Sequence, residues 1–164
     1  MVLPSSIREM TREVLVKARK SFDTIPLVRG EEVKGLTKNS TWQYPLWQAQ
    51  VLEEEGLVEI CRVEMSEIGK KLMAERRGKA IQRVEEWFFN NARITLKREE
   101  DPEKERKMRF KLKELLELRL EKITRMALTG EEEGSKNLTE DEKILFNKIK
   151  VELDEFRERI FSDI

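Results

Sequence analysis

From about residue 103 to residue 161 the chain repeats one arrangement, in which apolar side chains recur every three or four residues in an otherwise charged background. Leu112, Leu116, Leu120, Ile123 and Ala127 fall on one side of a helix, and Met108, Leu115 and Met126 widen the stripe. Leu145, Ile149, Leu153, Phe156 and Ile160 repeat the pattern further on. Stripes this narrow stabilise a helix only by packing on other helices, so the pattern predicts a bundle.

Composition sharpens that constraint. Of 164 residues 38% are hydrophobic and 40% charged, which leaves material for a thin core only. Basic and acidic residues both number 33, so no bulk attraction draws the chain to phosphate. With no histidine there is no imidazole to act as base, proton shuttle or metal ligand. Cys61, the single cysteine, excludes an internal disulfide and any zinc site needing two or more Cys or His ligands. Val58, Ile60 and Val63 around it predict a buried, inert thiol in a reducing compartment. Met1 to Met10 holds no signal-peptide-like apolar run, and no eighteen apolar residues are consecutive, so a soluble cytoplasmic protein is expected. Dense Glu, Lys and Arg with little Asn, Gln and Cys points to a thermophilic source.

The first sixty or so residues have another texture, with short apolar runs between turn formers. Val14, Val16 and Ala18 alternate as in a strand, while Val14, Leu15, Ala18 and Phe22 also fit a helix face. Thr24 to Gly30 contains Pro26 and permits only an edge strand or an extended piece. A polar loop from Glu31 to Thr41 is expected next, then a short helix started by Pro45 and stopped by Gly56, and a returning strand Leu57 to Ile60. Pro45, Leu46, Trp47 and Leu52 are the predicted core of this module. The fold class that follows is mainly α with a small α+β module: a strand-containing domain over 1–62 and a helical bundle domain over 63–164. Within the bundle, Ser66 is the expected N-cap of a helix running to Phe88, weakened at Gly69 and Gly78. Lys97 to Lys107 reads as a solvated connection, Gly130 to Gly134 as a loop around three glutamates, and Thr139 with Glu142 as a capping box.

Catalytic and cofactor signals are negative. Gly130 and Gly134, followed by Ser135 and Lys136, have the wrong order and spacing for a phosphate-binding loop. The runs Glu53 to Glu55 and Glu131 to Glu133 match solvated ends and loops. No enzyme activity, metal or cofactor is expected. Between Arg62 and Val84 seven basic residues face three acidic ones, with Arg76, Arg77 and Lys79 as candidate phosphate contacts. No aromatic rings interleave with those charges for stacking, and pairing with the acidic C-terminal helix is the plainer reading. A stand-alone nucleic-acid-binding protein using 62–84 is the alternative function.

Trp87, Phe88 and Phe89 spread over about 200° of a helix, more than one core face buries, so a protein interface competes with a wide internal core for the surplus. Arg119 lies on the apolar side of its helix and needs a carboxylate or carbonyl partner. The expected interface set is Trp87, Phe88, Phe89, Leu112, Leu116, Arg119, Leu120 and Ile123.

Two stretches resemble a known family. Tyr44-Pro45-Leu46-Trp47-Gln48-Ala49 with Leu52, followed by Leu57-Val58-Glu59-Ile60, resembles the V-P-L-W-L-A…L…C-x-I segment in the small domain of GINS replication-complex subunits. Leu115 to Ile123 is similar to the D-I-W-D-x-R-x-x-K-L helix of those subunits, with Arg119 and Lys122 in register. Glu117 and Leu118 stand where the family has tryptophan and aspartate, so the acidic neighbour of the arginine has moved. Ile25 to Gly30 sits where the family has I-x-L-I-x-G. The resemblance implies an archaeal, non-catalytic scaffold subunit related to the second and third partner subunits of eukaryotic GINS. It would pair with a second GINS subunit of opposite domain order, two copies of each, and work near the nucleoid with the MCM helicase and a Cdc45/RecJ-like protein in unwinding DNA at the replication fork. The small-domain segment is then assigned to packing, and the subunit interface to the helical stripes.

Overall fold

A computed structural model of the chain describes residues 5–27, 30–131 and 133–162, with residues 5 and 6 described by backbone alone. The chain forms two compact units, Met1–Val63 with Glu86–Arg98, and Glu64–Glu85 with Glu99–Ile164.

The first unit begins with α1 (Ser5–Thr11) and β1 (Glu13–Ala18). Alternation settles the ambiguity over Val14 in favour of a strand, since Val14, Val16 and Ala18 are buried while Glu13 and Lys17 are exposed. Next come β2 (Ile25–Pro26), β3 (Glu32–Val33), β4 (Thr41–Pro45), α2 (Leu46–Glu54) and β5 (Val58–Ile60). β1 is central in a three-stranded antiparallel sheet of order β4-β1-β5, with Val14 opposite Tyr44 and Val16 opposite Ile60. β2 and β3 form a separate two-stranded pair in which Pro26 faces Glu32, the short, edge-like setting a proline tolerates. Val28 and Arg29 of that segment lie outside the described residues.

The expected polar loop over 31–41 is more structured than its composition suggests. It contains β3, Val33 and Leu36 are buried in the core, and Leu36 bridges to Phe22. Gly35 makes that approach feasible, because a Cβ there would sit 2.5 Å from the Phe22 carbonyl oxygen. Pro45 stands at the N-cap position of α2, whose inward positions Leu46, Ala49 and Leu52 close over the sheet. Gly56 has φ 69°, and this left-handed turn returns the chain to β5.

The helix expected over Ser66 to Phe88 is two helices, α3 (Met65–Arg77) and α4 (Phe88–Lys97). Glu64, not Ser66, is the N-cap residue of α3, and Gly78 at its C-terminal end is extended (φ −76°, ψ 132°). The chain between them is not helical. α4 belongs to the first unit for a polar reason. Asn91 is buried there; its amide accepts from the Leu15 N–H (2.9 Å) and donates to the carbonyls of Leu15 (2.9 Å) and Cys61 (2.9 Å). One turn on, the buried Thr95 hydroxyl accepts from the Val63 N–H (3.0 Å). Losing either partner would leave backbone groups unpaired in the interior. The compact units are therefore not contiguous in sequence, since residues 86–98 cluster with the N-terminal part.

α5 (Pro102–Thr129) dominates the second unit. Pro102 is its first residue, where a missing N–H costs nothing, and the Asp101 carboxylate accepts from Glu103 N–H (2.9 Å) and Lys104 N–H (3.4 Å). The expected connection over Lys97 to Lys107 thus shrinks to residues 98–101 between α4 and α5. α3 packs along α5. Ile68 and Leu72 on one helix and Met108, Leu112 and Leu115 on the other are buried. Gly130 at φ 72° ends α5, and a 3-10 turn, Ser135–Asn137, leads into α6 (Glu140–Phe161). Thr139 and Glu142 form the predicted capping box. Glu132 of the preceding loop lies outside the described residues. Phe146, with Ile149 and Leu153 beside it, joins a core of Ile81, Ile123, Met126, Ala127 and Leu138. α6 runs in the same direction as α5, because Glu142 meets Arg119 near its start and Arg157 meets the Leu128 carbonyl near its end. No helix of the described residues is long and apolar enough to cross a membrane.

Candidate protein interface

The buried seam of α5 runs through Met108, Leu112, Leu115, Arg119, Ile123 and Met126. A guanidinium thus occupies a central core position, and the structure supplies its partners. Arg119 Nη1 donates to Glu75 Oε2 (2.8 Å) and to the Gln82 carbonyl (2.6 Å). Its Nε and Nη2 fork the Glu142 carboxylate at 2.6 and 2.7 Å, and Nη2 also reaches the Asn137 carbonyl (3.4 Å). One turn along, Lys122 Nζ donates to Glu75 Oε1 (2.6 Å) and to the carbonyls of Glu75 (2.6 Å), Gly78 (2.7 Å) and Ala80 (3.2 Å). Two cations and two carboxylates balance. Burial by itself disfavours the charged guanidinium, but the carboxylates of Glu142 and Glu75 outweigh it and hold the Arg119 pKa above its ordinary value. Glu142 also accepts from the Thr139 N–H (2.9 Å), so one side chain caps α6 and fastens it to α5. The cluster ties the end of α3, the segment around Gln82, α5 and the start of α6 to one another.

That arrangement decides which predicted interface residues are available. Phe88, Leu112, Arg119 and Ile123 are buried within the chain and present no surface to a partner. The expectation for these four is corrected. The seam of α5 is turned so that Leu115 and Arg119 face inward in place of Leu116 and Leu120, which remain 42% and 39% exposed. Leu128, two turns beyond Leu120, is exposed as well, and Leu118 and Thr124 line the same shallow depression on α5. In the first unit Trp87 and Phe89 are half-buried on either side of Phe88, with ring centroids 6.3 and 5.3 Å from it.

The other candidate sites divide similarly. Leu46 and Leu52 are core residues, whereas Pro45 and Trp47 are only half-buried. Tyr44 and Ala49 take the inward places, and the Tyr44 hydroxyl donates to the Lys34 carbonyl. Cys61 is half-buried rather than buried, because the alternation that puts Ile60 inside turns its successor outward. Arg76 pairs with Glu114 on α5 and Lys71 with Glu85 (2.5 Å), so part of the basic stretch is already engaged in ion pairs within the second unit. Arg77 and Lys79 are exposed. Glu75 and Asn91 were not anticipated from sequence. Glu75 follows Ile68 and Leu72 on one face of α3, the pattern that singled out Arg119. Among the described residues no group of three or more cysteine or acidic side chains is placed to hold a metal ion.

A comparison with family models matches residues 63–161 to the one named Sld5 and described as the GINS complex protein helical bundle domain. That match spans more than half of the chain. The chain belongs to the GINS complex protein family. A comparison with curated proteins returned no match. The mainly helical fold with a small strand-containing N-terminal region agrees with the expectation from sequence. Arg119 and Lys122, the two residues in register with the family's helix motif, both bond to Glu75. Membership in this family implies assembly with other GINS subunits.

Proposed function

We propose that this protein is a non-catalytic scaffold subunit of the GINS complex, docking a second GINS subunit through the outward face of α5. The observation that carries the reading is the exposed row Leu116, Leu120 and Leu128 on a helix whose opposite face the Arg119 cluster holds fixed. Apolar rows presented on a rigid element are the usual material of obligate interfaces, which bury roughly 2,000 Å² or more. Trp87 and Phe89, half-covered in the first unit, are proposed as a further, separate contact. Within that reading, the partner is a subunit of opposite domain order, present with this one in two copies each. The assembly supports DNA unwinding with the MCM helicase and a Cdc45/RecJ-like protein. The ion pair of Arg76 with Glu114 already occupies part of the basic stretch and weighs against a primary role in phosphate binding.

The test is co-expression with the second GINS subunit of the same genome. Both leucines are exposed, so Leu116→Glu with Leu120→Glu should leave the circular dichroism and melting of this chain unchanged while recovery of the complex falls at least tenfold. Undiminished recovery would remove α5 from the interface.

A further inference from the structure

The apolar face of α6 outruns its own support. Phe146 is buried and Ile149 and Leu153 half-buried against α5, but Phe156 and Ile160 continue the same face and stand 56% and 52% exposed. Arg157 near this end already reaches the Leu128 carbonyl, two residues before α5 stops at Gly130, so little of α5 is left beneath the last turns of α6. One flank of this segment is engaged within the chain, where Arg157 donates to that carbonyl (2.9 Å) and to Asp154 (3.2 Å). On the other flank Glu152 and Arg159 lie two turns apart, both exposed, with Phe156 beside their midpoint.

An acid four residues before and a base three residues after a central ring is a self-complementary arrangement. Turned end for end, a second α6 would set its Arg159 against Glu152 and its Glu152 against Arg159, with the Phe156 and Ile160 rows facing each other between two identical ion pairs. In a parallel two-fold pair Glu152 and Arg159 of the two helices would lie on opposite flanks of the seam, so these two ion pairs would not form. We propose that the distal half of α6 is an isologous contact with a second copy of this chain, two α6 helices packing antiparallel about Phe156. This goes beyond the α5 reading and stands on α6 alone. Two or three turns of paired helix fall below the 1,200 Å² or so of a standard interface, so the contact is a concentration-dependent one. It supplies the two-fold axis about which two copies would be joined.

The experiment uses the full chain. In sedimentation equilibrium the mass should rise with concentration from that of one chain, 19.5 kDa, towards twice that value. Glu152→Arg and Arg159→Glu should each weaken self-association about tenfold, and the double exchange should restore it. These two residues are too far apart on one helix to repair each other within a chain. As a second reading, Glu152→Cys and Arg159→Cys chains, each also carrying Cys61→Ser, are mixed with a short bis-maleimide. The antiparallel pair predicts mixed 152–159 cross-links in excess over either like pair. A monomer at every concentration, a double exchange no better than the singles, or predominance of like-pair cross-links would each overturn the proposal. The outcome is separable from that of the α5 reading, since Leu116→Glu with Leu120→Glu should leave self-association intact and Phe156→Glu should abolish it.

Discussion

Replacing Arg119 by methionine keeps most of the side-chain volume and removes the charge. Glu75 would then lose a direct partner inside the protein and Glu142 its fork, and breaking a buried ion pair from one side costs about 3–5 kcal/mol. Arg119→Met should therefore lower the chemical-denaturation midpoint substantially, an effect absent if the guanidinium were merely lying along a rim. A second residue-scale prediction concerns Glu53. Burial alone would raise its carboxyl pKa, but the Arg98 guanidinium (3.0 and 2.6 Å) and the Ile60 N–H (2.9 Å) outweigh it and hold the value below the ordinary one. A carboxylate with a depressed folded-state pKa stabilises fully above its unfolded value, about 4.3, and that contribution fades as pH falls towards the folded-state pKa. Melting temperatures taken from pH 7 down to pH 3 should show an acid limb that is shallower in Glu53→Gln than in the parent chain.

Among the elements, the start of α6 concentrates the most function in the fewest atoms. Thr139 accepts from the Glu142 N–H (3.3 Å) while the Glu142 side chain returns to Thr139 N–H, and the same carboxylate holds Arg119. Thr139→Ala should cost about 1 kcal/mol in denaturant unfolding, the usual worth of an N-cap, and more if Glu142 swings away from Arg119 once the box is open. Local chemistry of this kind was legible in the sequence: the capping box, Gly56 as a stop and β5 after it all rest on neighbours within a few residues. The fate of Gly78 was not. Glycine is tolerated in a helix at about 1 kcal/mol, and what ended α3 there is the tertiary use of its carbonyl, and of the Ala80 carbonyl, as acceptors for Lys122. The loop over 31–41 was missed for a related reason, since two buried residues, Val33 and Leu36, are too few to register against its polar remainder.

In the molecule as a whole, periodicity identified the helical stripes but not their rotation. The spacing puts Leu116 and Leu120 on one stripe with Leu112 and Ile123, Arg119 beside them, and assigns that whole stripe to a subunit interface. Three carboxylate and carbonyl groups brought from α3, the Gln82 segment and α6 made Arg119 the better occupant of the interior, and none of them is near it in sequence. The leucines so displaced are the surface that a second GINS subunit would cover. The most direct measurement is the native mass of the complex recovered under mild conditions with this chain as the tagged member. The account predicts a mass well above 19.5 kDa that includes a second GINS subunit, and loss of that subunit when Leu116 and Leu120 are both replaced by glutamate. Recovery of this chain free of any other GINS subunit, or a complex indifferent to those two replacements, would contradict it.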